Sequence, residues 1–355
     1  MSRSLFRIRS GRSNCPSAQH RIRSHGPIPT IASTLAAACF FWPIDSRADE
    51  GGVSFWLPGQ FGSLLAAPGT PGFSIGMVYY HTSVDAGVGR NFNRGGNVQV
   101  GLKANVDLGI IAPAYTFAEP FLGAQAAVQM GLVVGRNNTS VGATLTGPLG
   151  NQISAERNDA RYTVGDLFPT ATLKWNFGVH NVMTYVTGAI PLGTYEATRL
   201  SNVSLGHGAF DSGFGYTYFD PTKGHEFSAI TGLTYNLKNP STDYRNGVDW
   251  HVDLAASQFL SKQVHVGAVG YFYQQVTGDS GAGATLGNFR SRIAGVGPQI
   301  GILFPVGQLQ GYLNLRGYGE FANQNRPKGW NMWLTFQISP ASKDAAALPV
   351  NLVRK

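Results

Sequence analysis

The 355-residue sequence has little charge, almost no cysteine and no long apolar run beyond its first 48 residues. Charged residues make up only 13% of the chain, whereas aromatic residues reach 12% and there are 46 glycines. A membrane-spanning helix would need 18 or more consecutive apolar residues, which this part of the chain does not offer. Disordered chains combine few aromatics with high charge, so that class is excluded as well. The composition is typical of many strands joined by turns.

The basic character of the chain, with a pI near 9.5, comes from its N-terminus. Residues 1–48 contain seven arginines and a single acid, Asp45. Removing these seven bases and one acid leaves 20 bases and 18 acids, a net charge of +2. A nucleic-acid-binding protein should keep a basic surface after processing, so we expect no nucleic-acid partner.

The N-terminus has the pattern of a secretory signal peptide over residues 1–48. A basic stretch precedes the apolar run 28–41, and small residues at Ser46 and Ala48 predict cleavage near Ala48–Asp49. The basic stretch is long, so translation could start downstream of Met1. A mitochondrial transit peptide stays open as an alternative, because the region is rich in arginine and serine and poor in acids.

Both cysteines, Cys15 and Cys39, lie in this segment. A mature chain without cysteine is suited to the oxidising periplasm. Residues 35–39 resemble a lipoprotein processing site, but the apolar run continues through Phe40 and Phe41, which argues against lipidation.

Segments in which apolar and polar residues alternate fill the rest of the chain. A spanning strand needs about 9–11 residues whose side chains point alternately to lipid and lumen. Twelve such segments occur, at 73–82, 98–118, 121–136, 162–178, 181–195, 212–220, 224–237, 247–260, 264–276, 289–304, 309–322 and 330–338. They predict an all-β fold, a transmembrane antiparallel up-and-down β-barrel of about 12 strands over residues 73–338, in the bacterial outer membrane.

The lengths of the connections favour a barrel over a soluble sandwich. Short links at 119–120, 179–180, 221–223, 261–263 and 305–308 alternate with long links at 83–97, 137–161, 196–211, 238–246, 277–288 and 323–329. Barrels of bacterial outer membranes have this rhythm, with tight periplasmic turns and longer surface loops. Aromatic residues flank the short links and predict an interfacial girdle there, made of Phe117, Phe121, Trp175, Phe177, Phe219, Phe227, Phe259 and Phe304.

Polar residues on one face of many strands predict a hydrated lumen. The residues that we expect to line it are Lys103, Asp107, Lys174, Asp249, His251, Asp253, Arg316 and Glu320. Within this set, Asp249, His251 and Asp253 share one face of one strand and could begin a metal site. We favour a hydrated polar wall instead, and expect neither a metal nor a cofactor.

Two segments flank the predicted barrel. Residues 49–72 combine apolar side chains with Gly and Pro, which indicates either a periplasmic leader or a segment that enters and plugs the barrel. Residues 339–355 have no strand pattern and are expected to form a flexible tail.

Two stretches carry a resemblance to a known family. The runs DEGGVSFWLPGQFGSLLAAPGTPGFSIGMVYYHTS and VDLGIIAPAYTFAEPFLGAQAAVQMG resemble the bacterial outer-membrane family named for the MetA-pathway of phenol degradation, and strands up to WNMWLTFQIS extend the similarity. The resemblance implies an outer-membrane transporter linked to aromatic catabolism. It supplies no catalytic residues.

Two motifs could carry chemistry. Gly72–Gly76 matches G-x-S-x-G, but a nucleophile elbow needs a turn into a helix, and here a strand follows. His81 and Ser83 are close in sequence at the end of the first strand, without an evident third partner. Neither motif is strong, and the sequence predicts that the protein is not an enzyme.

A passive channel for small, aromatic or hydrophobic molecules is therefore the leading functional hypothesis. Twelve strands should leave a lumen narrower than that of porins. The expected partners are outer-membrane lipid and lipopolysaccharide, a small-molecule permeant and the barrel-assembly machinery. The alternatives are an outer-membrane hydrolase, as some twelve-stranded barrels are phospholipases, and a surface or structural barrel that transports nothing.

Overall fold

The computed structural model describes residues 54–91, 96–285 and 287–341. Within these residues the chain forms twelve antiparallel strands: β1 Gly72–Asn91, β2 Asn97–Thr116, β3 Gln125–Thr146, β4 Gln152–Phe177, β5 His180–Ala189, β6 Ala209–Asp220, β7 His225–Asn236, β8 Asp249–Phe259, β9 Val264–Gln275, β10 Arg292–Val306, β11 Leu309–Gln324 and β12 Lys328–Pro340. The predicted signal peptide, its cleavage site, residues 49–53 and all but the first residues of the predicted tail lie outside the described ranges.

The strands close into one barrel in sequence order. Each strand pairs with its neighbours along the chain, and β1 pairs with β12 from Ile75↔Ile338 to Asp85↔Lys328. The prediction of a twelve-stranded up-and-down barrel is confirmed. Across the described ranges, no helix is both long and apolar enough to cross a membrane.

The predicted connections are right on one rim and partly wrong on the other. We call the rim formed by 117–124, 178–179, 221–224, 260–263 and 307–308 the short-link rim. On the opposite, long-link rim, the segments 83–97 and 137–161 were predicted as loops. Most of these residues are strand, and only 92–96 and 147–151 connect β1 to β2 and β3 to β4.

The first four strands therefore extend beyond a bilayer. Each has 20 or more residues, up to 26 in β4. At about 3.3 Å per residue this gives roughly 65–85 Å, whereas a spanning strand needs about 9–11 residues. Because both termini of the barrel lie on the short-link rim, the two hairpins project from the long-link rim.

Strand β5 is shorter than its predicted range of 181–195. It ends at Ala189, and Pro191 follows, whose missing N–H cannot continue the ladder. Strand β4 pairs with β5 only from Thr170 to Phe177. The part of β4 between Thr170 and the long-link rim has no pairing with β5. There the link 190–208 packs against β4, and the Asp159 carboxylate accepts the N–H groups of Leu200 and Ser201.

Alternation separates the two faces of β8 as predicted. Trp250 and Leu254 are 39% and 42% exposed on the outside, whereas Asp249, His251 and Asp253 are buried. The girdle prediction is wrong for Phe259, which is buried and stacks on the His265 ring at 4.9 Å. The odd-numbered residues of β8 are buried inside the barrel, and Phe259 is one of them.

Strand β2 reverses the predicted faces. Its apolar residues Leu102, Ala104, Val106 and Leu108 line a cavity inside the barrel. The polar residues between them, including Lys103 and Asp107, therefore point outward, and their assignment to the lumen is corrected. On this outer face Asp107 lies where the apolar surface of Met77 and Ile111 ends, and Lys103 lies beyond it in the projecting hairpin.

Candidate functional site

Residues 54–71 enter the barrel and fill its middle; we call them the lumen segment. They form turns rather than a strand, with a positive φ at Gly59 (84°) and Leu64 (66°). Trp56, Leu65 and Ala66 are buried in the core that the inward-facing strand residues form. Residues 54–71 therefore lie inside the barrel, and whether the region 49–72 acts as a leader or as a plug stays a prediction.

Acidic and hydroxyl side chains of the wall accept the backbone N–H groups of the lumen segment. Asp253 accepts from Gly59 at 3.0 Å and from Phe61 at 3.2 Å. Glu226 accepts from the N–H of Leu64 at 2.9 Å. Since a turn-rich segment cannot satisfy these donors by itself, the wall replaces the water that would otherwise bind them.

Cations and phenols of the wall donate to the carbonyl groups of the same segment. Lys174 Nζ lies 3.0 Å from the Ala67 oxygen, and Arg316 Nη2 lies 3.2 Å from the Gln60 oxygen. Tyr318 donates its hydroxyl to the Gly59 oxygen at 3.2 Å. Side chains of β4, β7, β8 and β11 thus satisfy donors and acceptors of the segment.

An aromatic stack anchors the N-terminal part of the segment. The Trp56 ring lies on the His251 ring with centroids 3.5 Å apart and planes 15° apart. His251 Nε2 is in turn 2.9 Å from Asp211 Oδ2, and Asp211 also accepts the Tyr185 hydroxyl at 2.7 Å. The His251 ring is therefore held between Asp211 and Trp56.

This arrangement does not build a metal centre. Asp253 binds backbone N–H groups, and Asn236 donates to Asp249 at 2.8 Å, so both carboxylates point to hydrogen-bond donors. Among the described residues, no group of three or more His, Cys, Asp or Glu side chains is arranged to hold a metal ion.

A cavity of about 350 Å³ lies between the lumen segment and the long-link rim. Leu57 of the lumen segment contributes to its base, and the links 190–208, 237–248 and 276–291 supply Val203, Thr242 and Phe289. Its lining is mixed. Aliphatic side chains of β1 and β2, namely Val84, Leu102, Ala104, Val106 and Leu108, line it together with polar side chains that include Asn137, Thr139, Arg199, Glu320 and Arg326. Such a site accommodates a small molecule with an apolar body and a few polar groups.

The structure distributes the eight predicted lumen residues over three environments. Lys174, Asp253 and Arg316 contact the lumen segment directly, and His251 contacts it through Trp56. Asp249 is buried nearby in the same wall, and Glu320 borders the cavity. Lys103 and Asp107 lie outside. The role of these eight residues in permeation stays a prediction.

The sequence reasoning missed Glu226 and the apolar wall of β2. Glu226 follows the short turn 221–224, and no charge pattern distinguishes it from a turn residue. The β2 residues were assigned to lipid, because an apolar face looks the same whether lipid or an apolar cavity covers it.

The sequence matches the family described as "Putative MetA-pathway of phenol degradation" over residues 88–336, about 70% of the chain. The chain belongs to this family. The match begins within β1 and ends within β12, so it spans most of the barrel and confirms the resemblance carried by the strand sequences. No curated protein matches the sequence.

Solved structures with a similar fold come from bacterial outer membranes. An outer membrane channel from Pseudomonas putida F1 superposes with a TM-score of 0.60 at 17% identity, covering 78% of this chain and 98% of that chain. A FadL homologue from Pseudomonas aeruginosa gives a TM-score of 0.34 at 8% identity, with 76% and 89% coverage. The first match supports the outer-membrane barrel fold; the second is too weak to support an argument.

Proposed function

We propose that this protein is a channel for the passive uptake of small apolar molecules, aromatic ones included, across the bacterial outer membrane. The observation that carries the proposal is the cavity of about 350 Å³ inside the barrel, which is lined by the aliphatic side chains of β2, by Leu57 of the lumen segment and by the links at the long-link rim. The family description, which names phenol degradation, and the channel from Pseudomonas putida support the same class of permeant and function.

The geometry also supports selectivity rather than bulk flow. The lumen segment lies inside the barrel, so we expect a path narrower than the hydrated one found in porins. An apolar permeant would leave water for the aliphatic wall of the cavity, which is favourable by about 25 cal/mol for each Å² of apolar surface removed from water. Ions and sugars gain nothing comparable there.

Uptake of an apolar fluorescent probe tests the proposal. Expression in a Gram-negative host should speed the entry of N-phenyl-1-naphthylamine, whose fluorescence rises in an apolar phase. Ala104→Trp fills the cavity and should abolish that gain. Lys103→Trp is the matched control, because the neighbouring residue points outward and should leave uptake unchanged. Equal uptake by both variants, or no gain from the unaltered protein, would refute the channel.

The route to the membrane is part of the proposal. Residues 1–48 act as a cleavable signal peptide, and the barrel-assembly machinery then inserts the chain among phospholipid and lipopolysaccharide. N-terminal sequencing of the protein purified from outer membranes should begin near Asp49. A start within residues 1–40 would refute cleavage at this position.

A further inference from the structure

A cluster of polar residues lies on the outer face of the first hairpin. His81 and Ser83 belong to β1, and Asp107 belongs to β2. Their neighbours Tyr80, Thr82 and Val84 line the internal cavity, so alternation directs His81 and Ser83 to the outside. The sequence left this His–Ser pair without a third member, and the strand register supplies one.

Asp107 and His81 form the oriented half of a nucleophilic triad. They are opposite each other in the β1–β2 register, and Asp107 Oδ1 lies 2.7 Å from His81 Nδ1. A carboxylate at Nδ1 selects the tautomer with the proton on that nitrogen, so Nε2 is free to act as a base. The side chains of His81 and Asp107 are 22% and 40% exposed, which leaves the pair accessible from outside.

Ser83 occupies the position of the nucleophile. It lies two residues from His81 on the same face of the strand, a spacing of roughly 7 Å between backbone positions. Asp107 engages Nδ1 of His81, and the Trp330 ring lies 4.9 Å from the imidazole. The hydrogen bond between a nucleophile and its base often tightens only when substrate binds. The serine hydroxyl and the imidazole can therefore meet through a rotamer change.

One donor on the neighbouring strand can stabilise an oxyanion. Asn105 is directly opposite Ser83 in the register. Directly opposite residues have Cβ atoms about 4.5–5.5 Å apart, within reach of an amide group. The Asn105 side chain is exposed on the outer surface.

The cluster lies at the edge of the lipid-facing band. Towards the short-link rim, the same outer face is apolar, with Met77 and Ile111 exposed. Towards the long-link rim it becomes charged, with Asp85, Lys103 and Lys328 exposed. Acyl ester bonds of membrane lipids lie in this interfacial layer, between hydrocarbon and headgroups.

We propose that this cluster is a serine esterase site for acyl esters of lipids in the membrane leaflet at the long-link rim. Ser83 Oγ attacks the ester carbonyl carbon while His81 Nε2 takes the hydroxyl proton, and the Asn105 amide donates to the oxyanion. The carbon–oxygen bond of the ester then breaks, and His81 returns the proton to the leaving alcohol. Water attacks the acyl-serine with His81 as base again, which releases the fatty acid and restores Ser83; Asp107 stays ionised throughout.

The activity is measured on the purified mature barrel in detergent, with p-nitrophenyl laurate and with phosphatidylethanolamine vesicles as substrates. The unaltered protein should hydrolyse both and should react with a fluorophosphonate probe. Ser83→Ala should lose the labelling, and Ser83→Ala and His81→Ala should each lower turnover at least about 100-fold. Ser140→Ala, which removes an outward hydroxyl from β3, is the matched control and should keep both.

Asp107→Asn separates catalysis from structure. A merely structural Asp107 would leave the kcat of the folded variant unchanged, whereas loss of a positioning carboxylate should lower kcat with little change in KM, and Asp107→Glu should restore part of the loss. Heat-modifiable gel mobility and probe uptake should be the same in all variants, because the cluster lies outside the cavity. Labelling or turnover that survives in Ser83→Ala, or an inert unaltered protein, overturns the esterase and leaves the channel proposal standing.

Discussion

The bond between Asp253 and the lumen segment sets how firmly the segment is docked. The carboxylate accepts two backbone N–H groups, from Gly59 and Phe61. In Asp253→Asn, one oxygen is replaced by an amide nitrogen that cannot accept, so one of the two bonds is lost and the other becomes neutral. A hydrogen bond to a charged group contributes about 1.5–3 kcal/mol. Since about 1.4 kcal/mol corresponds to a factor of ten, the docking equilibrium should shift roughly 10- to 100-fold towards release.

Single-channel recording in planar bilayers measures this shift. Asp253→Asn should spend a correspondingly larger fraction of time in a conducting state than the unaltered protein. Asp220→Asn is the matched control: this carboxylate binds Thr222 and Lys223 in its own turn, so its loss should leave the conducting fraction unchanged.

A disulfide between the lumen segment and the barrel wall should hold the segment in its docked position, the opposite effect to Asp253→Asn. The hydroxyl oxygens of Ser63 and Ser257 are 2.8 Å apart, close enough for paired cysteines at these positions to be joined. Under oxidation, Ser63→Cys/Ser257→Cys should suppress the openings of Asp253→Asn, and a reductant should restore them. Openings that are equally frequent in Asp253→Asn and the unaltered protein would refute the reasoning that this carboxylate holds the segment.

Three further predictions concern the lipid face, the core and the sidedness. Val252→Arg places a charge between the exposed Trp250 and Leu254, which should cost about 2–4 kcal/mol near the bilayer midplane and impair assembly in a urea titration, whereas Val252→Leu should fold normally. Trp56→Ala removes the ring that stacks on His251 and should destabilise the docked segment by about 3–5 kcal/mol, seen as a higher conducting fraction; unchanged conductance would contradict this. A cysteine replacing Thr198, on the long-link rim, should react with an impermeant reagent on intact cells, and one replacing Lys223 only after the outer membrane is breached. The opposite pattern would invert the topology.

The sequence predicts the barrel because lipid imposes a strict rule on the strands that cross it. Side chains on the face towards lipid must be apolar, so period-two alternation and short turns identify β5 to β12 with small errors in their bounds. The rule fails in β1 to β4, which continue past the bilayer. There Lys103 and Asp107 lie on the outer face, and the apolar residues of β2 between them face the cavity, so the alternation predicts the wrong face for both sets.

Parts of the candidate sites depend on the register and could not be derived from local patterns. His81 pairs with Asp107 because β1 and β2 form a long hairpin that turns at 92–96. The sequence predicted a loop over 83–97 instead, so this register could not be derived from it. The contact of Asp253 with Gly59 joins residues 194 positions apart. Composition indicated that residues 49–72 could enter the lumen, but no periodicity in a Gly- and Pro-rich segment selects its partners.

The path of the lumen segment through the barrel restricts the order in which the protein can fold. The segment precedes β1 in the chain, yet it contacts Asp253, Arg316 and Tyr318, which are 192 to 259 residues away. Residues 54–71 are therefore synthesised long before the strands that hold them exist. The segment cannot reach its docked position until β8 and β11 are in place. Closure of β1 onto β12 must then trap it inside or be followed by its threading from the short-link rim, so docking is among the last events of assembly.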